Sequence, residues 1–367
     1  MISIALRNLF GEKTRLLISI GGVAFSVMLI LIILSLYRGW QIKSTEYIRN
    51  IDADIWVSQD GASDITSSAS IIYPEEAEEI KNIDGIASAH KFLGRPNQLS
   101  IKGRDVNAYI VGFDTKDPIT GPKNIVDGTD KIHKGEIVID KVLAKNNKLV
   151  VGDLIEIFDR TFKVAGIAEG ANMFVFQFSF VTVEDAKEIF NTGELFNFYL
   201  LKVEQGKENQ VIDSVNEIKG ISAYSKDKFV EKNKRFIDEV FLPIISVLVI
   251  ISIFVGTAVI GLTIYTATVE KSREFGVIKA LGASNMQVYR IIFEQSLVSG
   301  VIGYVLGVGL TFFLLWLIPV YAPAFVTVVL GRDVAMVFAI SILMSVIASY
   351  TPVRRIVKID PALVFKS

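Results

Sequence analysis

The sequence predicts an α-helical membrane protein in which four transmembrane helices, one before and three after, flank a mixed α+β domain. Of the 367 residues, 51% are hydrophobic and only 21% are charged, whereas soluble proteins carry roughly 25% charged residues. Four stretches contain no Asp, Glu, Lys or Arg: residues 16–37, 240–269, 295–331 and 334–353. Each reaches the ~20 residues that a helix needs to cross a bilayer. Because lipid offers no partner for backbone N–H and C=O groups, these stretches must be helical.

The charges beside the four stretches predict their orientation. Lys and Arg concentrate before the first stretch, between the second and third, and after the fourth, whereas the turn between the third and fourth has only Arg332, followed at once by Asp333. Positively charged flanks remain in the cytoplasm. We therefore expect a multi-pass protein of the plasma (inner) membrane, with both termini cytoplasmic and the large domain outside.

These boundaries divide the chain into nine segments, in the following order. We expect a cytoplasmic amphipathic N-terminus (1–15), TM1 (16–38), an extracytoplasmic α+β domain (39–239), TM2 (240–269), a cytoplasmic coupling segment (270–290), TM3 (291–318), a short external loop (319–333), TM4 (334–353) and a cytoplasmic tail (354–367). Ile2, Leu6, Leu9 and Phe10 share one helical face, which fits a short helix on the membrane surface. A frayed end of the first membrane helix is the alternative.

Strand and helix patterns alternate within the large domain. Residues 53–58 and 198–203 are predicted strands, 74–83 a helix that begins with a proline, and 98–113 a hairpin around Lys102-Gly103-Arg104-Asp105. A β-rich insert is expected over 135–181, with a turn at Asp159 and Arg160. Residues 226–239 are a predicted helical extension of TM2, with Pro243 near the start of the membrane helix, where proline is tolerated.

Several classes of protein are excluded by what the sequence lacks. It has no cysteine, which rules out disulfides, thiol catalysis and Cys-ligated metals. The uncharged stretches offer no ionisable group for ion-coupled transport, and no Gly-x4-Gly-Lys-Ser/Thr phosphate loop is present. A net charge of −1 gives no reason to expect nucleic-acid binding. We therefore expect a non-catalytic subunit without a cofactor or metal of its own. His90, His133 and Met173 are conceivable metal or haem ligands, but surface or core roles are favoured.

Two apolar patterns each leave two interpretations open. Small residues at Ser299, Gly303 and Gly307 predict a helix-packing seam in TM3, either within the chain or between two copies; glycine frequency alone is the alternative. A strand that carries alternate aromatic rings places them on one face. A core-facing strand is favoured, and an exposed surface for a lipid, haem or partner is the alternative. Its residues are Met173, Phe174, Phe176, Phe178 and Phe180.

The segment between TM2 and TM3 has the most ordered pattern. Phe275, Ile278 and Leu281 fall on one helical face, while Glu274 and Lys279 lie elsewhere. Small residues give this segment little side-chain bulk, which favours a short helix that docks into a groove of another protein. These residues are Gly276, Ala280, Gly282 and Ala283. An ordinary amphipathic connection is the alternative.

The motif Glu270-x-x-Arg273-Glu274-x-Gly276, continued by Ala280-x-Gly282-Ala283, resembles the signature of the FtsX/MacB-type (type VII) permeases of ABC transporters. The tail, from Pro352 to Asp360 and Pro361, is similar to the C-terminal end of that family. So are Ala5-x-Arg-Asn-Leu9 and the residues from Glu12 to Arg15. The one-plus-three layout also matches, nearest to the shorter DevC-like and HrtB-like permeases with a separate ATPase chain.

The resemblance implies the function and the partners. The chain would be the permease subunit of an ATP-driven transporter, working as a homodimer with a cytosolic ABC ATPase that binds ATP-Mg. It would convert ATPase motion into movement of the extracytoplasmic domain, and so export or extract a hydrophobic or amphiphilic substrate: lipid, haem, lipoprotein, peptide or drug. The alternative is an FtsX-like signalling subunit that regulates an extracytoplasmic cell-wall hydrolase. Membrane lipid is a further expected partner, and an extracytoplasmic adaptor stays open.

The resemblance also implies an ATPase-coupling site. Its residues are Glu270, Arg273, Glu274, Phe275, Gly276, Ile278, Lys279, Ala280, Leu281, Gly282, Ala283, Asp360 and Pro361.

Overall fold

The computed structural model describes residues 13–62, 64–66, 70–170, 172–173, 176–322 and 325–357, without side-chain detail at 172, 351 and 353–357. The chain forms two compact units: a helical unit, Met1–Gly39 with Phe241–Ser367, and a sheet unit, Trp40–Val240. The predicted amphipathic face at Ile2–Phe10 and the tail residues Asp360 and Pro361 lie outside the described residues.

The helices and strands follow one another along the chain with short connections. The helices are α1 Lys13–Asn50, α2 Pro74–Lys81, α3 Lys141–Asn147, α4 Val183–Phe190, α5 Glu208–Asn216, α6 Lys226–Glu270, α7 Ser272–Ala280, α8 Asn285–Tyr321 and α9 Gly331–Val357. The strands are β1 Ile55–Gln59, β2 Ile86–Ile101, β3 Arg104–Phe113, β4 Asn124–Gly128, β5 Glu136–Asp140, β6 Leu154–Ile157, β7 Arg160–Glu169, β8 Asn172–Met173, β9 Phe176–Thr182, β10 Phe198–Val203 and β11 Ile221–Ser225.

Four helices of the described chain, α1, α6, α8 and α9, are long and apolar enough to cross a membrane. The predicted arrangement of one helix before and three after an α+β domain is therefore confirmed. Helices α1 and α6, with 38 and 45 residues, are roughly 57 and 68 Å long at 1.5 Å per residue, against a hydrocarbon core of ~30 Å. Both run without interruption past the boundary between the two units.

Pro243 follows the predicted helical extension 226–239, as expected, but the expectation that a proline costs little at this position is wrong. It lies well inside α6, because the helix already begins at Lys226. A proline has no N–H, so the carbonyl of Glu239 loses its helical partner there. The weakened turn lies beside Val240 and Phe241, where the boundary between the units falls.

The sheet unit is built on eleven strands in the order β11-β1-β10-β2-β3-β9-β5-β7-β4, with β8 paired to β9. Strand β6 pairs with both β2 and β7, so that β2, β3, β9, β5, β7 and β6 close into a ring. All six strands contribute residues to one buried cluster, to which α3 and α4 add Leu143 and Ala186. The β-rich insert that the sequence predicts is the larger part of this ring.

The two predicted turns have different outcomes. The predicted hairpin is confirmed, with Lys102 and Gly103 as its turn residues: both have positive φ, 52° and 75°, as a two-residue type I′ turn requires. Arg104 and Asp105, which were also placed at the turn, already pair with β2. The second turn is wrong by one residue. Ile157 pairs with Arg160, so the turn residues are Phe158 and Asp159, because this register keeps the side chain of Ile157 buried.

A second core of the sheet unit consists of aromatic rings, and two of them come from the long helices. Tyr47 of α1 stacks on Phe178 at 4.3 Å between ring centroids, and Phe229 of α6 stacks on Trp56 at 4.6 Å. Burial raises the pKa of Tyr47 well above its usual value, so its hydroxyl stays protonated and donates to the Thr120 carbonyl at 2.5 Å. The ends of α1 and α6 are thus part of the core of this unit.

Hydrogen bonds also tie the two helix ends to each other and to the sheet. Gln41 Nε2 donates to Asp238 Oδ1 at 2.6 Å, and Lys226 Nζ donates to the Ile51 carbonyl at 2.6 Å. Buried Asn233 accepts a bond from the Ile65 N–H at 3.1 Å. Within the sheet unit, Trp40–Asn50 and Lys226–Val240 are therefore fixed by both packing and polar contacts.

Removal of the Phe229 ring should destabilise the sheet unit. Phe229→Ala leaves a cavity against Trp56, and we expect a loss of about 3–5 kcal/mol in the free energy of unfolding. Tryptophan fluorescence during denaturant unfolding measures it. Phe158→Ala is the matched control: that ring is 66% exposed at a turn, and its loss should change stability by no more than about 0.5 kcal/mol. Equal effects of the two substitutions would contradict the anchoring role of Phe229.

Candidate functional site

The segment that follows α6 is a compact helix–turn–helix. Lys271 is the N-cap of α7, and a Schellman motif ends this helix: the Ala283 N–H donates to the Ile278 carbonyl at 3.1 Å and the Gly282 N–H to Lys279 at 3.0 Å. Gly282 has φ +96°, a left-handed conformation that a residue with a side chain rarely adopts. The glycine of the Ala-x-Gly-Ala motif therefore serves to end a helix.

The next helix begins directly after this turn. Ser284 caps α8, accepting from the Gln287 N–H while the Gln287 side chain accepts from the Ser284 N–H. This reciprocal pair is a capping box. Two helix ends are thus fixed within a few residues, so the position of α7 depends on backbone geometry that the motif residues supply.

The predicted docking face of α7 is divided between the interior and the solvent. Phe275 is only 3% exposed, and it packs into the core of the helical unit with Ile278 partly buried beside it. Gly276 is buried as well, whereas Leu281 is 83% exposed. Of these three residues, only Leu281 is left accessible to a partner. Periodicity identified a shared face, but the chain itself covers most of it.

A different set of residues, in α7 and directly after it, faces the solvent. It consists of Arg273, Glu274, Val277, Ala280, Leu281 and Gly282. Ile278, Lys279 and Ala283 are half-buried. The exposed set combines one cation, one anion and apolar groups at helical spacing, a surface that a protein partner can contact.

Two motif residues that are far apart in the sequence form an ion pair. The Arg15 guanidinium binds the Glu270 carboxylate, and this hydrogen bond lowers the pKa of Glu270 below its usual value. The pair joins the first turns of α1 to the last residue of α6. Sequence analysis placed both residues in family motifs but had no signal for their contact.

The small residues of α8 form packing seams within the chain. A Cβ at Gly303 would lie 2.5 Å from Val23 Cβ of α1, and one at Gly307 would lie 2.7 Å from the Ala24 carbonyl oxygen. Ser299 is fully buried in the same row. Of the two interpretations, these contacts favour packing against α1 of the same chain.

A neighbouring row of α8 packs against α9. Ser296 Oγ donates to the Ser345 carbonyl at 2.6 Å, and Ser341 Oγ donates to the Gly300 carbonyl at 3.2 Å. Without a hydrophobic driving force in lipid, such close backbone contacts and hydroxyl bonds are what hold membrane helices together.

The first turn of α9 is joined to α1 by a buried ion pair that sequence analysis missed. Arg38 Nε lies 3.1 Å from Asp333 Oδ2 and its Nη2 lies 3.2 Å from Oδ1, with the Asp333 side chain only 5% exposed. The loop before α9 crosses α1 nearby, where the Val328 N–H donates to the Ser35 carbonyl at 3.0 Å. Gly39 permits this approach, since a Cβ there would lie 1.8 Å from the Val326 oxygen.

The aromatic strand lies in the core of the sheet unit. Phe178 and Phe180 are fully buried, Met173 is buried and Phe176 packs half-buried against them, as the core-facing interpretation expects. The surface interpretation is therefore not retained for these four residues. Phe174 lies outside the described residues.

No group of three or more His, Cys, Asp or Glu side chains suited to a metal occurs in the described part of the chain. His90 binds Asp117 through Nδ1, and its Nε2 lies 2.8 Å from Ser88 Oγ. The backbone N–H of His133 donates to Glu136. The favoured structural roles of the histidines fit these contacts.

A one-methyl change in α8 tests the packing seam. Gly303→Ala places a Cβ against Val23, and we expect a lower melting temperature of the purified protein, because neither backbone can yield. Gly309 lies on the same helix with no atom within 4 Å of its would-be Cβ, so Gly309→Ala should leave the melting temperature unchanged or raise it slightly, as alanine favours helix by about 1 kcal/mol. Equal melting temperatures would show that the seam is not in close contact.

Comparison with known proteins agrees with this architecture. Residues 16–218 match the model of the MacB-like periplasmic core domain, and residues 246–361 match that of the FtsX-like permease C-terminal region. An uncharacterized ABC transporter permease of Mycobacterium tuberculosis is 24% identical over 368 residues, covering 100% of this chain and 99% of the relative. A Staphylococcus haemolyticus protein named as a hemin transport system permease, HrtB, is 21% identical over 336 residues, covering 91% and 90%.

Among solved structures, the periplasmic region of MacB from Actinobacillus actinomycetemcomitans covers 50% of this chain and 94% of its own, with 12% identity and a TM-score of 0.38. The match to the MacB-like core domain spans more than half of the chain, and the FtsX-like match covers most of the remainder. The chain belongs to the FtsX/MacB family of ABC transporter permeases.

Proposed function

We propose that this permease subunit works as a homodimer with a separate cytosolic ATPase, and moves a hydrophobic or amphiphilic substrate by moving its sheet unit. As an ABC permease the chain implies a partner ATPase. One observation supports the mechanical part of the proposal: α1 and α6 are uninterrupted helices whose ends, at Tyr47 and Phe229, are stacked in the sheet-unit core. A displacement of either helix would therefore act directly on the sheet.

In the proposed orientation α7 lies in the cytoplasm and the sheet unit outside, so the displacement would pass from the cytoplasmic side outward. The ATPase would contact the exposed surface of α7. Phe275 would carry the displacement inward, because its ring is packed in the core of the helical unit. The Arg15–Glu270 pair would keep the cytoplasmic ends of α1 and α6 together during the movement.

The nature of the substrate rests on indirect support. The relative HrtB is named for hemin transport, and haem is a flat amphiphile of the proposed class. Phe178 and Phe180 are buried, so a cargo surface would have to form elsewhere on the dimer. The rival function, an FtsX-like signal to an outer hydrolase, uses the same helices and the same ATPase but needs no cargo surface.

Charge reversal on α7 tests the ATPase contact. Glu274 is exposed, so Glu274→Lys should leave folding intact. If the carboxylate pairs with a basic residue of the ATPase, we expect the variant to co-purify with the ATPase less well or to stimulate its turnover about tenfold less. Asp105→Lys is the matched control, with the same charge change at an exposed position of the sheet unit. If Glu274→Lys and Leu281→Asp both retain full stimulation, α7 is only a connection.

A flexible joint in α6 tests the transmission itself. Glu239 and Val240 are exposed and lie beside Pro243, so replacing both with glycine should break the helix without removing a buried side chain; each glycine costs about 1 kcal/mol relative to alanine. In proteoliposomes with the ATPase and haemin or a fluorescent phospholipid, we expect normal ATP hydrolysis and several-fold lower cargo release. The double alanine variant, which keeps the helix, should behave as the wild type.

The outcomes separate the two functions. Cargo release that is equal in the glycine and alanine variants would contradict transmission through α6. If the wild type releases no cargo, yet ATP alters protease cleavage of the sheet unit and the glycine variant abolishes this change, the signalling function is favoured.

A further inference from the structure

A small cavity in the helical unit brings two buried hydroxyl groups together. Its volume is about 40 Å³. The side chain of Ser19 on α1 is 2% exposed and that of Ser299 on α8 is 0% exposed. Both line the cavity, and neither Oγ has a hydrogen-bond partner among the described residues. Folded proteins pair the large majority of their buried polar atoms, with ordered water where no protein group is in reach, so two unpaired hydroxyls at one cavity call for a ligand.

The cavity has the size and the polarity that water needs. A space of roughly 10–15 Å³ holds one water molecule, provided that it meets two to four polar partners. The cavity exceeds this volume, and Gln295 and Thr263 line it together with the two serines. Water is the molecule that satisfies both serines.

The position of the cavity links it to the coupling segment. Lys271 and Phe275 of the coupling segment line it together with Ser19 and Ser299 of the long helices. Hydrogen bonds to water exchange partners readily, whereas interlocked side chains resist displacement. Water at this place would let α7 change its packing against α1 and α8.

We propose that this cavity binds a cluster of ordered water molecules, held by Ser19 and Ser299, which acts as a movable joint between the coupling helix and the membrane helices. The first part of the proposal, water binding, is independent of the function proposed above. The second part, the joint, rests on that proposed function.

Ser26 is a natural control for water binding. It lies on the same helix as Ser19, is 1% exposed and also has an unpaired Oγ among the described residues. However, it packs against Gly256, where an added Cβ would lie 2.7 Å from the Ser26 oxygen, and it does not line the cavity. Ser26 therefore has the same burial as Ser19 without the space for water.

Single cysteines at these three positions measure the water directly. The chain has no native cysteine, so Ser19→Cys, Ser299→Cys and Ser26→Cys each carry one thiol. Methyl methanethiosulfonate reacts only with the thiolate, which attacks its sulfur and releases methanesulfinate, and a thiolate needs hydration to form. In the full chain in nanodiscs, we expect reaction at positions 19 and 299 to be about tenfold faster than at 26.

Equal rates at the three positions, whether fast or slow, overturn the water site, as does a slow rate at either 19 or 299. Melting temperatures of the three variants confirm that each is folded as the wild type is. The measurement needs no ATPase, so its failure would leave the proposed function intact.

Substitutions at Ser299 and Ser26 test the joint. Ser299→Leu fills the cavity, while Ser26→Ala removes a buried hydroxyl that does not line it. With the partner ATPase in nanodiscs, we expect the Ser26→Ala variant to retain the stimulation of ATP turnover and the leucine variant to lose it several-fold while still co-purifying with the ATPase. Equal stimulation by wild type and leucine variant overturns the joint. A wild type that gives no stimulation would instead contradict the proposed function. Should the leucine variant not fold, the Ser299→Cys variant provides the test. Its labelling rate is then measured with and without the ATPase and ATP, and an unchanged rate overturns the joint.

Discussion

The stacking of Tyr47 on Phe178 and of Phe229 on Trp56 is the constraint on which the sheet unit depends. Each ring pair contributes about 0.5–1.5 kcal/mol beyond the burial of its area, and each also determines which turn of α1 or α6 meets the sheet. Because the same helices continue as apolar spans, their sequences must satisfy two environments. They are lipid-compatible along the spans, and they carry aromatic and polar anchors such as Gln41 and Asp238 at the ends.

The helical unit is held together by different means, since lipid supplies no hydrophobic drive for one helix to leave it for another. Close contacts at Gly303 and Gly307 bring α8 onto α1, and Gly22 admits Val259 of α6 on another side of α1. The Arg38–Asp333 pair adds a specific register between α1 and α9. Removing one partner of such a buried pair typically costs 3–5 kcal/mol, while the pair itself adds little net stability. Its contribution is therefore to select one arrangement of helices.

The sequence predicts the spans well because hydropathy accumulates over many residues and tolerates local error. The hairpin at Lys102 and Gly103 could also be predicted from the sequence, because the residue types that favour a turn are neighbours in the chain. What covers a given face is a tertiary property: the spacing of Phe275 and Leu281 places them together on a helix, yet one is buried in the chain's own core and the other is exposed. The same reason explains why the Arg15–Glu270 and Arg38–Asp333 pairs were not predicted. Each joins residues more than two hundred positions apart, and no local pattern connects them.

The family motif between α6 and α8 has a different meaning once each residue is placed. Glu270 binds Arg15, Phe275 and Gly276 are packed inside, and Gly282 adopts the left-handed conformation that ends α7. These positions constrain the geometry of the segment, and of the four only Phe275 and Gly276 are buried. Arg273, Glu274, Val277 and Leu281 are the residues with free surface. Under the proposed function the motif thus has two parts: Glu270, Gly276 and Gly282 maintain the shape of the coupling segment, while the exposed Arg273 and Glu274 contact the ATPase.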